Sequence, residues 1–184
     1  NYFEAEQLRE AVSFTMAQHE RQIGKLNAET MTDPMTQLLN RRGVASEIAR
    51  LVASRQSFAV LALDLDHFKR VNDAFGHAAG DQVLMALADI MRGSVRVQDA
   101  CCRVGGEEFL VLMPGASADA AGAVAERIRK ATRARAMPGG VGHVTVSIGA
   151  ARWPDDGKDP DTVLKCADQA LYRAKTSGRD KVVA

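Results

Sequence analysis

Residues 100–113 read Ala100-Cys101-Cys102-Arg103-Val104-Gly105-Gly106-Glu107-Glu108-Phe109-Leu110-Val111-Leu112-Met113. Two extended apolar runs meet at Gly-Gly, a pattern that predicts a β-hairpin with a tight two-residue turn, since such a turn takes positive φ where glycine is comfortable. Two acids follow at once, at the tip. A hairpin carrying paired carboxylates on a turn without side-chain bulk can hold a divalent metal and admit a phosphate to the backbone. That is the shape of a nucleotide-handling site; a solvated turn is the rival.

Upstream, Ser57-Phe58-Ala59-Val60-Leu61-Ala62-Leu63 reads as a buried strand and runs straight into Asp64-Leu65-Asp66. Side chains alternate along a strand, so Asp64 and Asp66 share one face. Acids at the end of a buried strand, beside a second carboxylate source on the hairpin, suit magnesium, which takes hard oxygen ligands and completes its shell with water and substrate phosphates. Helical stretches are predicted near 67–75 and 80–93, split by Gly76-His77. Phe68 and Val71 fall on the core face. Asn72 and Asp81 offer a carboxamide and a carboxylate that together could read the donor edge of a guanine. Asp81 has a purely structural alternative as N-cap of a helix opening at Gln82.

Around these segments the pattern alternates. A helix follows Asn40-Arg41-Arg42, another covers 118–135, a strand covers His143–Arg152, a helix Asp161–Thr176 and a short strand Lys181-Val182-Val183. Strands alternating with helices imply a sheet with helices packed on it. The hairpin is expected to make that sheet mixed. Lys175 and Arg179 stand four apart at the end of the last helix, where Gly178 reads as a C-cap. A cation there also complements the helix dipole, a structural rival to a binding role.

Residues 1–32 contain no proline and a single glycine and read as one long helix. Two overlapping heptad frames fit it. One places Leu8, Val12, Thr15, His19, Gln22 and Leu26 on a seam; the other uses Val12, Met16, His19, Ile23, Leu26 and Thr30. Both seams are interrupted by polar residues, so a coiled coil here is weak alone. A single amphipathic helix packed on its own chain is the alternative. Asp33-Pro34 ends this segment, because the residue before proline avoids the α region. The domain organisation expected is therefore 1–32 as a signalling helix and coiled-coil linker, and 33–184 as a catalytic domain.

The chain has 184 residues with 24 Lys+Arg against 23 Asp+Glu, so no global field draws it to nucleic acid or membrane. A hydrophobic content of 46% supports a packed core. Cys101, Cys102 and Cys166 fit no zinc spacing, and a reducing cytosol suits them. A start at Asn1 rather than Met reads as a fragment of something larger.

Five ordered blocks together resemble the GGDEF family, the diguanylate cyclases. Asp33-Pro34-Met35-Thr36-Gln37-Leu38-Leu39-Asn40-Arg41-Arg42 is similar to the family's opening D-P-L-T-G-L-x-N-R-R, with Gln37 in place of the usual Gly and Met35 in place of Leu. The run Leu63 to Asp81 matches its metal and guanine segment, and Arg103 to Phe109 its signature hairpin. Val144-Thr145-Val146-Ser147-Ile148-Gly149 and Ala170-Leu171-Tyr172-Arg173-Ala174-Lys175 match the later blocks. Asp180 follows Gly178-Arg179 where the family often has Asn.

The resemblance implies an α/β (α+β) fold, ferredoxin-like and similar to the palm of nucleotidyl cyclases and polymerases, with a mixed sheet and surrounding helices. It implies condensation of two GTP into cyclic di-GMP by a homodimer, with two magnesium ions per half-site, or manganese in their place. Asp64 and the carbonyl of Leu65 would bind metal. Glu107 and Glu108 would share metal ligation and activation of a hydroxyl, with Glu107 favoured as the base-like residue. Lys69 would stabilise phosphate charge, and Lys175 and Arg179 would hold the terminal phosphates. Asn72 and Asp81 would select guanine, His77, Leu84 and Phe68 would line its pocket, and Gly105 and Gly106 would meet the substrate. Arg96-Val97-Gln98-Asp99 resembles the family's R-x-x-D inhibitory motif, so Arg96 and Asp99, with Arg127 from the next helix, would bind the cyclic di-GMP product. The setting implied is the bacterial cytoplasm, under an upstream sensor domain, without nucleic acid or membrane contact from this fragment. The rival within the family is a module that binds GTP or cyclic di-GMP without turnover.

Overall fold

In the computed structural model of the protein, the described residues are Gln18 and 30–184. Two compact units divide the chain, Asn1–Met31 and Thr32–Ala184. The heptad seams, apart from Thr30, lie outside the described residues.

Within the second unit the order is α1 (Arg41–Ala53), β1 (Phe58–Leu65), α2 (Phe68–Phe75), α3 (His77–Ser94), β2 (Ala100–Arg103), β3 (Glu108–Pro114), α4 (Ala118–Ala134), β4 (Val146–Trp153), α5 (Pro160–Thr176) and β5 (Val182–Val183). Side chains that cap explain several starts. Asn40 accepts from the backbone N–H groups of Arg42 and Gly43, Ser117 accepts from Ala120, and Asp159 accepts from Thr162 with Pro160 at the first helical position.

The strands form a five-stranded sheet in the order β2-β3-β1-β4-β5. The sheet is mixed, as expected, and antiparallel pairs predominate in it. β1 runs antiparallel to both β3 and β4, and β2 antiparallel to β3; the parallel pair is β4–β5. The β1-to-β2 and β3-to-β4 connections are each split by a strand lying between their ends, the ferredoxin-like solution, while α5 joins the adjacent strands β4 and β5. β1 is buried along its whole length, which is why its sequence shows no polar alternation. Ala59, Leu61, Leu63 and Leu65 belong to one core cluster with α2, α3 and α4. Phe58, Val60 and Ala62 belong to a second with α1 and α5, where the Phe58 and Trp153 rings stack at 5.7 Å.

α5 lies directly on β4 at one point. A Cβ on Gly149 would stand 2.2 Å from both the Ala167 carbonyl oxygen and the Leu171 amide nitrogen. Helix and strand therefore touch backbone to backbone.

The opening turn closes on the free edge of β2, with Leu39 N–H donating to the Cys101 carbonyl and Arg103 N–H to the Leu39 carbonyl. Gln37, standing where the family has glycine, takes φ +58, and its side chain donates to the Pro34 carbonyl at 2.8 Å. Cys101 and Cys102 are buried free thiols, that of Cys101 pushed up to about 12 by desolvation, which leaves it unreactive.

Candidate functional site

The hairpin turn is wider than the two-residue form expected. Register pairs Arg103 with Phe109, and the Glu108 carbonyl accepts from both Val104 N–H and Gly105 N–H. Neither glycine has positive φ. A Cβ at Gly105 would lie 2.4 Å from Glu108 Oε2, so a side chain there would displace the end of the Glu108 carboxylate. The tip is held from outside by arginines. Arg103 donates through Nε and Nη2 to the Gly106 carbonyl at 3.1 and 2.9 Å, and through Nη1 to Asp33 at 3.3 Å. Arg41 donates to the Val104 carbonyl. These guanidiniums fix the turn that backbone conformation alone was expected to fix.

β1 then sets Asp64 directly opposite Glu108 in the ladder. Like charges facing each other across strands repel, and one cation answers them. Lys175, from the last turn of α5, places Nζ 2.8 Å from Asp64 Oδ2. Asp64 Oδ1 is buried without any hydrogen-bond partner. Burial pushes the Asp64 carboxyl above the ordinary carboxylate range, opposed by Lys175 and reinforced by Glu108 and Asp66. Glu107 is raised as well, by burial first and then by Asp64 and Glu108, with Lys175 opposing.

Asp64, Glu107 and Glu108 thus outnumber Lys175, and a buried oxygen lacks a partner. That donor set fits a divalent cation. Among the described residues no three acidic, imidazole or thiol groups already stand at metal-ligating spacing. Magnesium does not require it, since it commonly takes one or two carboxylates and fills its remaining positions with water and phosphate oxygens.

Asp66, on the same face as Asp64, is committed elsewhere. Its Oδ1 accepts from Ser147 Oγ and its Oδ2 from Thr145 Oγ1, both at 2.7 Å. A third donor, Asp180 N–H, reaches Oδ2 at 3.1 Å. These partners are far along the chain, and the sequence reading did not find them.

The guanine candidates lie on α2 and α3. The helix containing Asp81 begins at His77 with Gly76 as its cap residue, so Asp81 sits inside the helix and is not its N-cap. Gly80 leaves room for the Asn72 carboxamide: a Cβ there would fall 1.9 Å from Asn72 Oδ1 and 3.2 Å from the Phe68 ring. Phe68 and Val71 are core residues, as expected, and Leu84 is buried with them. His77, Lys69 and Arg179 are exposed.

Away from this centre, Asp99 Oδ2 accepts from Arg96 N–H at 2.9 Å, which fixes the turn before β2. Arg127 donates to the Ser94 carbonyl at 2.9 Å, which brings it beside the same turn. One acid near the site was missed. Asp168 is raised by burial and by Glu108; its spacing of seven from Lys175 on α5 was the available signal, since it puts both on one helix face.

A family model described as the diguanylate cyclase GGDEF domain matches residues 30–181. The chain belongs to the GGDEF family. The chain is 41% identical over 160 residues to the probable diguanylate cyclase DgcT of Escherichia coli, a match covering 82% of this chain and 35% of that protein. It is 40% identical over 163 residues to the response regulator PleD of Caulobacter vibrioides, covering 83% and 36%. This GGDEF chain thus spans about a third of the length of these curated relatives. A crystal structure of the coiled coil and GGDEF domain of DgcB from Caulobacter crescentus, in complex with c-di-GMP, superposes with TM-score 0.79 at 29% identity, covering 97% of this chain and 98% of that one. Among the described residues no helix is long and apolar enough to cross a membrane.

The raised acids of this GGDEF site carry a sign. A carboxyl whose folded pKa exceeds its unfolded value binds protons more tightly when folded, so acid stabilises the fold. For Asp64 and Glu107 the penalty is full above the folded pKa, fades as pH falls through it, and is gone below the ordinary range near 4. Asp33, Glu47 and Asp159 are lowered and act only below that window. The urea midpoint of the metal-free protein is therefore expected to rise as pH falls from neutral towards the ordinary carboxylate range near 4, and Asp64→Asn to flatten the rise. Equal slopes in both proteins would overturn the assignment.

Proposed function

We propose that this domain is a diguanylate cyclase. It joins two GTP molecules into cyclic di-GMP and releases two pyrophosphates. The observation that carries the reading is the buried, unpartnered Asp64 Oδ1 beside Glu107, Glu108 and Lys175.

Asp64, the Leu65 carbonyl and Glu108 would hold magnesium or manganese, with Glu107 sharing the ligation. Bound there, the metal would supply neutralisation of phosphate charge and a lowered pKa for the attacking hydroxyl. Glu107 takes the proton from the 3′-hydroxyl of one GTP; burial and the neighbouring Asp64 raise its pKa, which makes it a better proton acceptor. That oxygen bonds to the α-phosphorus of the other GTP as the bond to pyrophosphate breaks. The reciprocal attack closes the ring. Lys69, Lys175 and Arg179 meet the phosphates, and the hairpin backbone at Gly105 and Gly106 lets them approach. Asn72 and Asp81 read the guanine edge in a pocket bordered by His77, Phe68 and Leu84. Positioning and charge supply most of the acceleration.

One domain holds one GTP, so two domains face each other about a two-fold axis. A coiled coil through residues 1–32 raises their effective concentration and passes on the state of an upstream sensor in the bacterial cytoplasm. Arg96, Asp99 and Arg127 form the product site, with Arg96 suited to bidentate contact with phosphate or a guanine edge.

The test is incubation with GTP and magnesium over a range of protein concentrations. Dinucleotide product is expected, with specific activity rising with concentration. Product is expected to inhibit non-competitively, and Arg96→Ala to abolish that inhibition. GTP binding without product would replace this reading with a non-catalytic nucleotide module, and inhibition unchanged in Arg96→Ala would remove the product site.

A further inference from the structure

Gly178, Arg179 and Asp180 take φ values of +117, +61 and +46 in succession. The second and third are not glycine, and the left-handed region is strained for an L-residue. Such conformations persist where the surroundings over-determine them, and they gather at functional sites. Here the surroundings can be named. Asp180 N–H donates to Asp66 Oδ2 at 3.1 Å, and Asp66 is itself 5% exposed and anchored by Thr145 and Ser147 on the β4 side. The Asp180 carboxylate accepts from Arg129 Nη1 at 2.8 Å and from Arg133 Nη1 at 2.7 Å, both from α4. Arg129 also reaches the Asp180 carbonyl at 3.3 Å. On the other side of the turn, Arg179 N–H donates to the Ala174 carbonyl at 3.0 Å, the long closing bond of a Schellman-type helix end. The Lys181 carbonyl accepts from Ile148 N–H at 3.0 Å, so sheet pairing resumes at once.

The backbone of Arg179 is therefore pinned before and behind while its side chain stays exposed. A side chain on a fixed root loses less freedom when it meets a ligand than one on a loose loop.

We propose that Asp180 is a positioning residue: gripped by Arg129, Arg133 and Asp66, it pre-sets the Arg179 guanidinium to receive the terminal phosphates of a nucleoside triphosphate. The inference rests on the reading that Lys175 and Arg179 hold those phosphates. Asp180→Asn separates this role from simple charge. Asparagine tolerates the left-handed region and keeps the N–H to Asp66, but it gives up the ionic grip of two arginines. If Asp180 were only a nearby negative charge, removing it would tighten binding of a triphosphate. As a positioning residue, its loss weakens binding.

Calorimetric titration of the protein with the non-hydrolysable analogue GMPPNP and magnesium is expected to show about tenfold weaker binding in Asp180→Asn, with KM for GTP raised in step and kcat changed little. In an Arg179→Ala background the same change is expected to add nothing, since the two residues act as one unit. Unchanged or tighter binding in Asp180→Asn, or full additivity with Arg179→Ala, would overturn the proposal. Amide exchange gives a readout independent of any nucleotide: the Asp180 N–H is expected to exchange slowly in the parent protein and faster in Asp180→Asn. If the parent protein failed to bind GMPPNP, the cyclase reading would fall. The clamp would then be judged by exchange alone, and equal exchange rates would end it.

Discussion

Asp64→Asn is expected to lower GTP turnover by about three orders of magnitude while leaving the protein folded. The substitution is isosteric, so β1 and its ladder to Glu108 keep their geometry. What changes is charge. The negative charge that answers Lys175 is lost, and one of the two carboxylate oxygens becomes an NH2 group that cannot ligate a cation. Charge stabilisation by a bound metal amounts to several kcal/mol, and about 4 kcal/mol corresponds to a thousandfold in rate. Glu107→Gln is expected to match it in rate but not in metal dependence. The amide cannot accept the hydroxyl proton, yet Asp64 and Glu108 remain to bind the ion. Midpoint shifts on adding magnesium would separate the two, because a ligand that binds only the folded state stabilises it by mass action. The shift should survive in Glu107→Gln and vanish in Asp64→Asn. Turnover within tenfold of the parent in Asp64→Asn would sink the proposed chemistry.

Gly149→Val is expected to unfold the domain at ordinary temperatures or to cost at least about 3 kcal/mol. Even the first carbon of the new side chain meets two backbone atoms of α5 at 2.2 Å, and a third, the Ala170 carbonyl carbon, at 2.8 Å. No rotamer relieves a clash at Cβ. Overpacking a core typically costs 1–3 kcal/mol when side chains can shift; here a helix must lift off a strand. Lifting α5 would also withdraw Lys175 from Asp64. Gly149→Ala is the milder test, read as a lower urea midpoint together with a weaker response of stability to magnesium. A midpoint within experimental error of the parent would show that the contact between α5 and β4 is not as close as described.

The parts of this protein legible in its sequence are those set by local pattern. The unbroken apolar run from Phe58 to Leu63 marks a strand covered on both faces, and Asn40 and Gly178 mark helix ends through groups they place within a few residues. Asp64 and the two hairpin glutamates could be paired because two buried strands, each ending in acids, had one sheet to share. What stayed hidden depends on groups distant in the chain. Asp66 looked as available as Asp64 until Thr145, Ser147 and Asp180 were seen around it. The glycine at 105 was read as a conformational need, whereas its φ is not positive and its open side borders the Glu108 carboxylate, a fact of side-chain placement that no propensity contains. That the sheet is mixed was legible in the hairpin, but the direction of each further pairing was not, because helix–strand alternation fits both a parallel sheet and a split one.

The two acidic arms of the site stand on unequal foundations. Asp64 belongs to a strand with a partner along each edge and a packed layer over each face. Glu107 sits on a turn secured chiefly by two arginines reaching in from outside the loop. Whatever fits between them meets a floor held by the backbone ladder and a wall held by side chains, so loss of Arg103 would loosen the glutamate arm and leave the aspartate in place.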